Sequence, residues 1–392
     1  MTTIHEINGI DRLAPFRSQW RELLDETHGA SFFQSLEWLE AYWKHFGHKQ
    51  QLQTLVLSDQ GEIVGIVPLV INRERTRLGW LRTLTWPLDG WGSFYGPIGR
   101  DSERLLFTAF AHLARRRRNW DVIDLRWIRS PEGEWVLTEN ALRRAGFEAE
   151  SEPYEQLATI RLSGSWDDYW KAFKAHERDN IRRGWRKLEK QGSLEYLRYR
   201  PLGQQQGDAD PRWDLYDACQ QVAERSWQGN ADDGTTLSSH AVRDFYRDAH
   251  QAAAAAGAID LNLVRLDGQP IAFAYNYQHR GEVYVIKMGF DPALAKTGVG
   301  KVLLARMIED SYARGDNAID LGPESFHYKR VWMNHVETSY RVIHYAATSP
   351  RAQSLRLARW ARNMVRRNST EDLVEPTANV ADGSSENAPA DG

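Results

Sequence analysis

Hydrophobic positions along the chain switch between a helical period of three to four residues and a strand period of two, and they do so twice over. In the first pass, Ile10 to Leu24 and "SFFQSLEWLEAYWKHFG" read as helices, the second capped by Ser35 and apolar along Leu36, Leu39, Tyr42 and Trp43. Two β-branched runs then flank Asp59-Gln60-Gly61, and "GWLRTLTW" and "SFYGPI" read as short strands. "ERLLFTAFAHLARRRR" is helix, "WDVIDLRWI" strand, "WVLTENALRRAG" helix and "YEQLATIRL" strand, the alternation of an α/β layer unit.

The pattern then starts again. "SWDDYWKAFKAHERDNIRRGWRKLEKQG" gives one or two helices, "LEYLRYR" a strand, and "RWDLYDACQQVAERSW" and "SHAVRDFYRDAHQAAAAAG" two more helices. Three strands follow between Ala258 and Asp291, joined by turns at Asp267-Gly268 and Arg280-Gly281. A helix from Lys301 to Ala313 ends at Gly315, and "NAIDLGPES" gives the last core strand. No short internal repeat is apparent, yet helices before a meander and a helix after it recur, which predicts a duplicated α/β (α+β) domain with units 1–162 and 163–346. Beyond them, 347–367 reads as a basic amphipathic helix and 368–392, without a basic residue, as a disordered acidic tail. The helix is expected to dock on the body through Leu355, Leu357, Trp360 and Met364; the other reading offers 351–367 to a membrane or envelope-assembly surface.

Composition narrows the function. Fifty basic against fifty-three acidic residues leave a net charge of -3, which argues against a general polyanion binder. The run Arg115 to Arg118 has no interleaved aromatics and reads as a solvated helix end, so nucleic acid is not an expected partner. The single Cys219 excludes an internal disulfide, and "MTTIHEINGIDRLAPF" has no basic start followed by an apolar run, so the cytoplasm is the expected compartment. The histidines form no HxxxH or HExxH pattern and no metal site is predicted. Absence of a GxSxG elbow and of a Walker loop sets aside the hydrolase and nucleotidase classes.

Three stretches carry candidate chemistry. In "AKTGVGKVLLARMIEDSYARG" the pair Gly298 and Gly300 around Val299 precedes a helix, whose unpaired N–H groups and positive dipole end suit a diphosphate as well as a plain turn. "DLGPESFHYK" gathers Asp320, Glu324, His327, Tyr328 and Lys329 after a core strand. Taken singly, Asp320 also suits a turn cap, His327 an exposed loop and Tyr328 the core. In "HERDNIRRGWRKLEKQG", Arg178, Arg182, Arg186 and Glu189 line one helix face, with Arg186 and Glu189 placed to pair; the face is either solvated or an anion-binding ridge beside the acceptor.

The order of meander, glycine turn, helix, strand and "GPESFHYKRVW" resembles the GNAT N-acetyltransferases, whose turn of pattern Arg/Gln-x-x-Gly-x-Gly/Ala binds the diphosphate of acyl-CoA. Here the pattern reads Ala295 to Gly300, with alanine in the leading place and Lys296 or Lys301 as the replacement charge. With "FFQSLEWLEAYWKHFG", "IVGIVPLV", "ERDNIRRGWRKLEKQGSLEYLRY" and "GQPIAFAYNYQHRGEVYVIKMGFDPAL", the chain from Ser31 to Tyr345 is similar to BioF2-like or CelD-like acetyltransferases, relatives of the FemABX peptidyltransferases. The resemblance implies two tandem acyl-CoA N-acyltransferase folds, each a mixed, largely antiparallel twisted sheet flanked by helices, and a link to exopolysaccharide or cell-envelope biosynthesis. It implies acetyl-CoA or another acyl-CoA as co-substrate and an amine of a sugar or peptide precursor as acceptor. Gly298, Val299, Gly300 and Lys301 would hold the cofactor. Tyr328 would be the acid and Glu324 or His327 the base, with Lys329, Asp320 and Arg182 toward the acceptor. In the first unit, Pro97 between Gly96 and Gly99 removes a donor, so that unit is expected to be non-catalytic. The other readings are an aminoacyl-tRNA-dependent transferase, for which 166–192 is too short to form the helical arm, and a non-catalytic binding module of a polysaccharide assembly system.

Overall fold

The computed structural model describes residues 2–76, 79–88, 90–129, 133–231, 234–323 and 326–371. The first half runs β1 (Thr3–Ile7), α1 (Arg17–Glu26), α2 (Leu36–Phe46), β2 (Gln50–Asp59), β3 (Glu62–Thr76), β4 (Gly79–Thr85), α3 (Ser102–Ala114), β5 (Val122–Ile128), α4 (Glu134–Arg144) and β6 (Ala149–Arg161). The second opens with α5 (Trp166–Ala172) and α6 (Ala175–Glu189) and then repeats the scheme. Its elements are β7 (Leu194–Tyr199), α7 (Trp213–Arg225), α8 (Arg243–Ala255), β8 (Ile259–Leu266), β9 (Gln269–His279), β10 (Glu282–Phe290), α9 (Val299–Arg314), β11 (Ala318–Pro323), α10 (Phe326–Lys329) and β12 (His335–Tyr345). The helix α11 (Pro350–Glu371) follows.

Among the described residues the strands form one twelve-stranded sheet in the order β1-β2-β3-β4-β5-β12-β6-β11-β10-β9-β8-β7. Reading inward from either edge gives the same sequence of roles, so the two halves repeat one order of strands. The halves are also fused. Each lends its last strand to the other, β12 lying between β5 and β6, and β6 between β12 and β11. This closes both inner edges and leaves β1 and β7 as outer ones. The pairs β4–β5 and β10–β11 are parallel; the others are antiparallel.

Turn chemistry sets the registers as the sequence predicts. Gln60-Gly61, Asp267-Gly268 and Arg280-Gly281 all take positive φ, the geometry of tight hairpins. The sequence reading misses β1 and β12 and gives one strand that does not form. "NAIDLGPES" is not the last strand: "HVETSYRVIHY" forms β12, whose period of two is interrupted by a register break between Thr338 and Tyr340. "SFYGPI" contributes only a bridge between Ile98 and Ile66. Pro15 sits in a 3-10 stretch from Ile10 to Phe16, so the first α-helix starts only at Arg17.

Aromatic packing joins the halves. Phe33, just before α2, meets Tyr277 and Tyr284 of the second half edge-on at 6.0 and 5.5 Å, and Trp38 meets Phe245 of α8 at 5.6 Å. In the second half, buried Arg198 of β7 donates to both carboxylate oxygens of Asp260 at 2.7 and 2.8 Å and to the Met307 carbonyl at 3.0 Å, tying α9 to the sheet.

The docking expected of α11 holds for part of its face. Ala352 is buried and Leu355 packs beside Leu81, Ile343 and Tyr345, while Arg359 donates to the Tyr345 hydroxyl at 2.8 Å. At 100° per residue that line turns Leu357 and Trp360 outward, and they are 65% and 62% exposed. The side chain of Met364 lies outside the described residues. No described helix is long and apolar enough to cross a membrane.

Candidate active site

The strands β10 and β11 pair only from Glu282 to Tyr284 against Ala318 to Asp320. Beyond that point a register break between Val285 and Lys287 bends β10, and the strands part. After β10 the chain turns into α9 through a 3-10 stretch from Pro292 to Thr297. Gly298 caps this helix in the left-handed region (φ 77°), with no side-chain cap, and a Cβ built on it would meet nothing within 4 Å. Gly300 differs: its Cβ would lie 3.0 Å from the Phe290 ring, so the second glycine lets the helix close on β10. Val299 is buried. Lys301 donates to Glu177 of α6 at 2.7 Å, which leaves Lys296 as the exposed cation of the turn. The matching helix of the first half, α3, is capped by its own carboxylate, Asp101, which accepts the Arg104 N–H at 3.0 Å.

Asp320 is the last residue of β11 paired with β10, and it is buried. Its Oδ1 accepts the Gly322 N–H at 2.7 Å and its Oδ2 the Ser93 hydroxyl at 3.0 Å. No ion-pair partner lies within 4 Å among the described residues. Burial therefore raises its pKa above the ordinary carboxylate range, while those hydrogen bonds and the charges of Arg129 and Lys329 oppose the rise. Arg129, which follows β5, donates to the Tyr284 hydroxyl at 2.9 Å, approaches Glu337 of β12 at 3.6 Å and lies 4.1 Å from the Phe94 ring centre. Burial also raises the Glu337 carboxyl. Ser93, Phe94 and Arg129 belong to the first half, so the polar centre is built from both.

The equivalent aspartate of the first half has different company. "VIDL" at Val122 to Leu125 and "AIDL" at Ala318 to Leu321 hold the same place beside their parallel neighbours, which aligns Asp124 with Asp320. Asp124 accepts from Arg126 at 2.8 Å and from Arg341 at 3.0 Å. That carboxylate is neutralised where Asp320 is not. This four-residue echo is the signal by which sequence reading could have found the pair; Ser93, Arg129 and Glu337 had none.

The remaining predicted residues fall as follows. Tyr328 on α10 is 47% exposed, and desolvation raises its phenol pKa. Lys329 is buried and donates to the carbonyls of Gly322 and Pro323 at 3.0 and 2.7 Å, clamping the turn after Asp320. Glu324 lies outside the described residues, and of His327 only the backbone is described. Arg182 lies elsewhere, in a groove of about 360 Å³ between α5, α6 and α9, 5.9 Å from the Trp170 ring. Glu189, expected to pair with Arg186, instead accepts the Trp185 indole N–H at 2.6 Å. Among the described residues no three His, Cys, Asp or Glu side chains are grouped to hold a metal.

Comparison with known proteins bears on the class of the domain and on the fold. Residues 175–330 match the family model of the acetyltransferase (GNAT) domain, so this part of the chain is a domain of the acyltransferase class. The fold resembles that of FemX, with a TM-score of 0.57 and 11% identity over 86% of this chain and 96% of that one. It also resembles the C-terminal domain of a putative lysylphosphatidylglycerol synthetase from Agrobacterium fabrum, with a TM-score of 0.52 and 16% identity over 87% and 94% of the two chains. A conserved protein of unknown function from Bacteroides thetaiotaomicron gives 0.52 and 12% over 88% and 100%. At these identities the likeness is one of fold. No curated protein matches the sequence.

Proposed function

We propose that the protein is an acyl-CoA-dependent N-acyltransferase that acylates an amine of a sugar or peptide precursor, within the exopolysaccharide or cell-envelope chemistry of BioF2-like enzymes. The observation that carries this reading is the buried Asp320 carboxyl, without an ion-pair partner among the described residues, at the last position where β11 pairs with β10; the uncapped start of α9 supports it. The backbone N–H groups of Val299 and Gly300 suit the diphosphate of acetyl-CoA or another acyl-CoA, because a helix start without its own carboxylate leaves donors and positive potential for an anion; Gly298, whose N–H is given to the Ala295 carbonyl at 3.0 Å, shapes the turn. Bound acyl-CoA supplies the thioester carbonyl. The acceptor nitrogen bonds to that carbon as the carbon–sulfur bond breaks. Asp320, at the vertex where the strands part, takes the amine proton, and Tyr328 returns a proton to the thiolate. A raised carboxyl pKa makes Asp320 the stronger base, and a raised phenol pKa keeps Tyr328 protonated at neutral pH. The first half serves as scaffold and adds Ser93 and Arg129 to the centre.

Thiol release from acetyl-CoA with an amine acceptor tests the assignment. Tyr328→Phe should lower kcat by roughly 10²–10⁴-fold with acyl-CoA affinity unchanged; a full-rate variant removes Tyr328 as the acid. Retention of bulk tRNA on filters, steep in salt, would favour the aminoacyl-tRNA donor instead.

A further inference from the structure

The first half holds a pocket that acyl transfer leaves unused. It is a cavity of about 230 Å³ where the end of β5 meets β3, β6 and the turn after β4, and Asn72, Glu74, Trp86, Arg126, Trp127 and Tyr154 line it. Two buried polar atoms among them have no hydrogen-bond partner: the indole N–H of Trp86 and Oδ1 of Asn72. Such atoms are costly to leave unmet, and although both are almost closed off from the cavity, a turn of the Asn72 and Trp86 side chains would bring a donor and an acceptor to a ligand there. Trp127 carries a third sign. Its φ is +62°, a left-handed conformation that strains a bulky residue, and the Tyr95 N–H holds its carbonyl at 3.0 Å. The Trp127 ring meets Tyr154 edge-to-face at 5.2 Å.

Charge narrows the ligand. Arg126 is committed to Asp124 at 2.7 Å, so the pocket has no cation to spare for phosphate or carboxylate. Aromatic walls, one unmet donor and one unmet acceptor suit a neutral ring with an apolar C–H face and hydroxyls at its edge. We propose that this pocket is a sugar subsite that takes one pyranose ring of the acceptor. Tyr154 and Thr159 share β6, and Thr159 pairs with Asp320, so five residues of strand, roughly 17 Å, separate pocket from carboxyl. An acceptor of oligosaccharide length reaches both.

The role as acceptor subsite rests on the proposed function; sugar binding does not, and it is measured without turnover. Saturation-transfer NMR on the full chain with methyl β-glucoside, N-acetylglucosamine and cellobiose should show contact through ring C–H protons. Asn72→Leu and Tyr154→Ala, each checked by melting temperature, should weaken binding at least ~tenfold while acetyl-CoA binding stays as in wild type. Tyr154 is partly exposed, so its truncation is expected to leave the fold in place, and a misfolded Asn72→Leu leaves the test intact. No transfer from any of the three sugars at millimolar concentration overturns the proposal, as does equal transfer in wild type and both variants. Sugar contact without acetyl-CoA binding would uphold the pocket and remove the acyl-CoA reading.

Discussion

Asp124 and Asp320 stand at the same point of the two halves of one sheet, and arginines neutralise only the first. The two residues should therefore respond in opposite ways to the same substitution. Asp124→Asn leaves Arg126 and Arg341 without their shared carboxylate and should cost about 3 kcal/mol, the lower end for a broken buried pair because Arg126 is one-third exposed. Asp320→Asn removes a buried carboxyl whose native pKa is raised. Stability from that carboxyl is complete below the unfolded value of about 3.9 and is lost as pH rises through the raised native value. The Asn variant should match wild type near pH 4 and gain on it toward pH 7, with turnover abolished. Melting curves across that range check both signs.

Ser93 should tune the base from the other half of the molecule. Its hydroxyl donates to Asp320 and lowers that pKa, so Ser93→Ala should move the acid limb of the activity profile to higher pH. A purely structural serine would change stability and leave the limb where it is.

The two glycines of the α9 turn should separate. Gly300→Ala pushes a methyl toward the Phe290 ring and should destabilise the fold by about 1–3 kcal/mol. Gly298→Ala meets no neighbour and carries only the left-handed penalty, about 1–2 kcal/mol, yet its methyl projects into the space a diphosphate would use. Retention on CoA resin should fall for the folded Gly298→Ala protein. Equal retention with wild type would leave the turn a connection and nothing more.

Local pattern made much of the fold legible. Helix faces, hairpin turns and the recurrence of the layer unit all follow from periodicity and turn residues, which act within ten or fifteen positions. The exchange of β6 and β12 does not, because it depends on which edge each final strand closes, a choice made between segments far apart in sequence. The same distance hid part of the site. Asp320 is visible at the end of an apolar strand, but Ser93 lies 227 positions away, and the contrast with Asp124 rests on Arg341, 217 positions from it. Trp360 shows the limit from the other side: an apolar residue in an amphipathic helix reads as core until Ala352 and Leu355 fix which face is covered.

Calorimetric titration of the full chain with acetyl-CoA tests the central claim most directly. One site per chain is predicted, since α9 starts without a side-chain cap where α3 starts on Asp101. Saturation at about 100 times Kd should stabilise the protein by about 2.7 kcal/mol. Asp320→Asn should keep that binding, and Gly298→Ala should lose it. Absence of heat with acetyl-CoA and with longer acyl-CoA, or two equal sites per chain, would contradict the account.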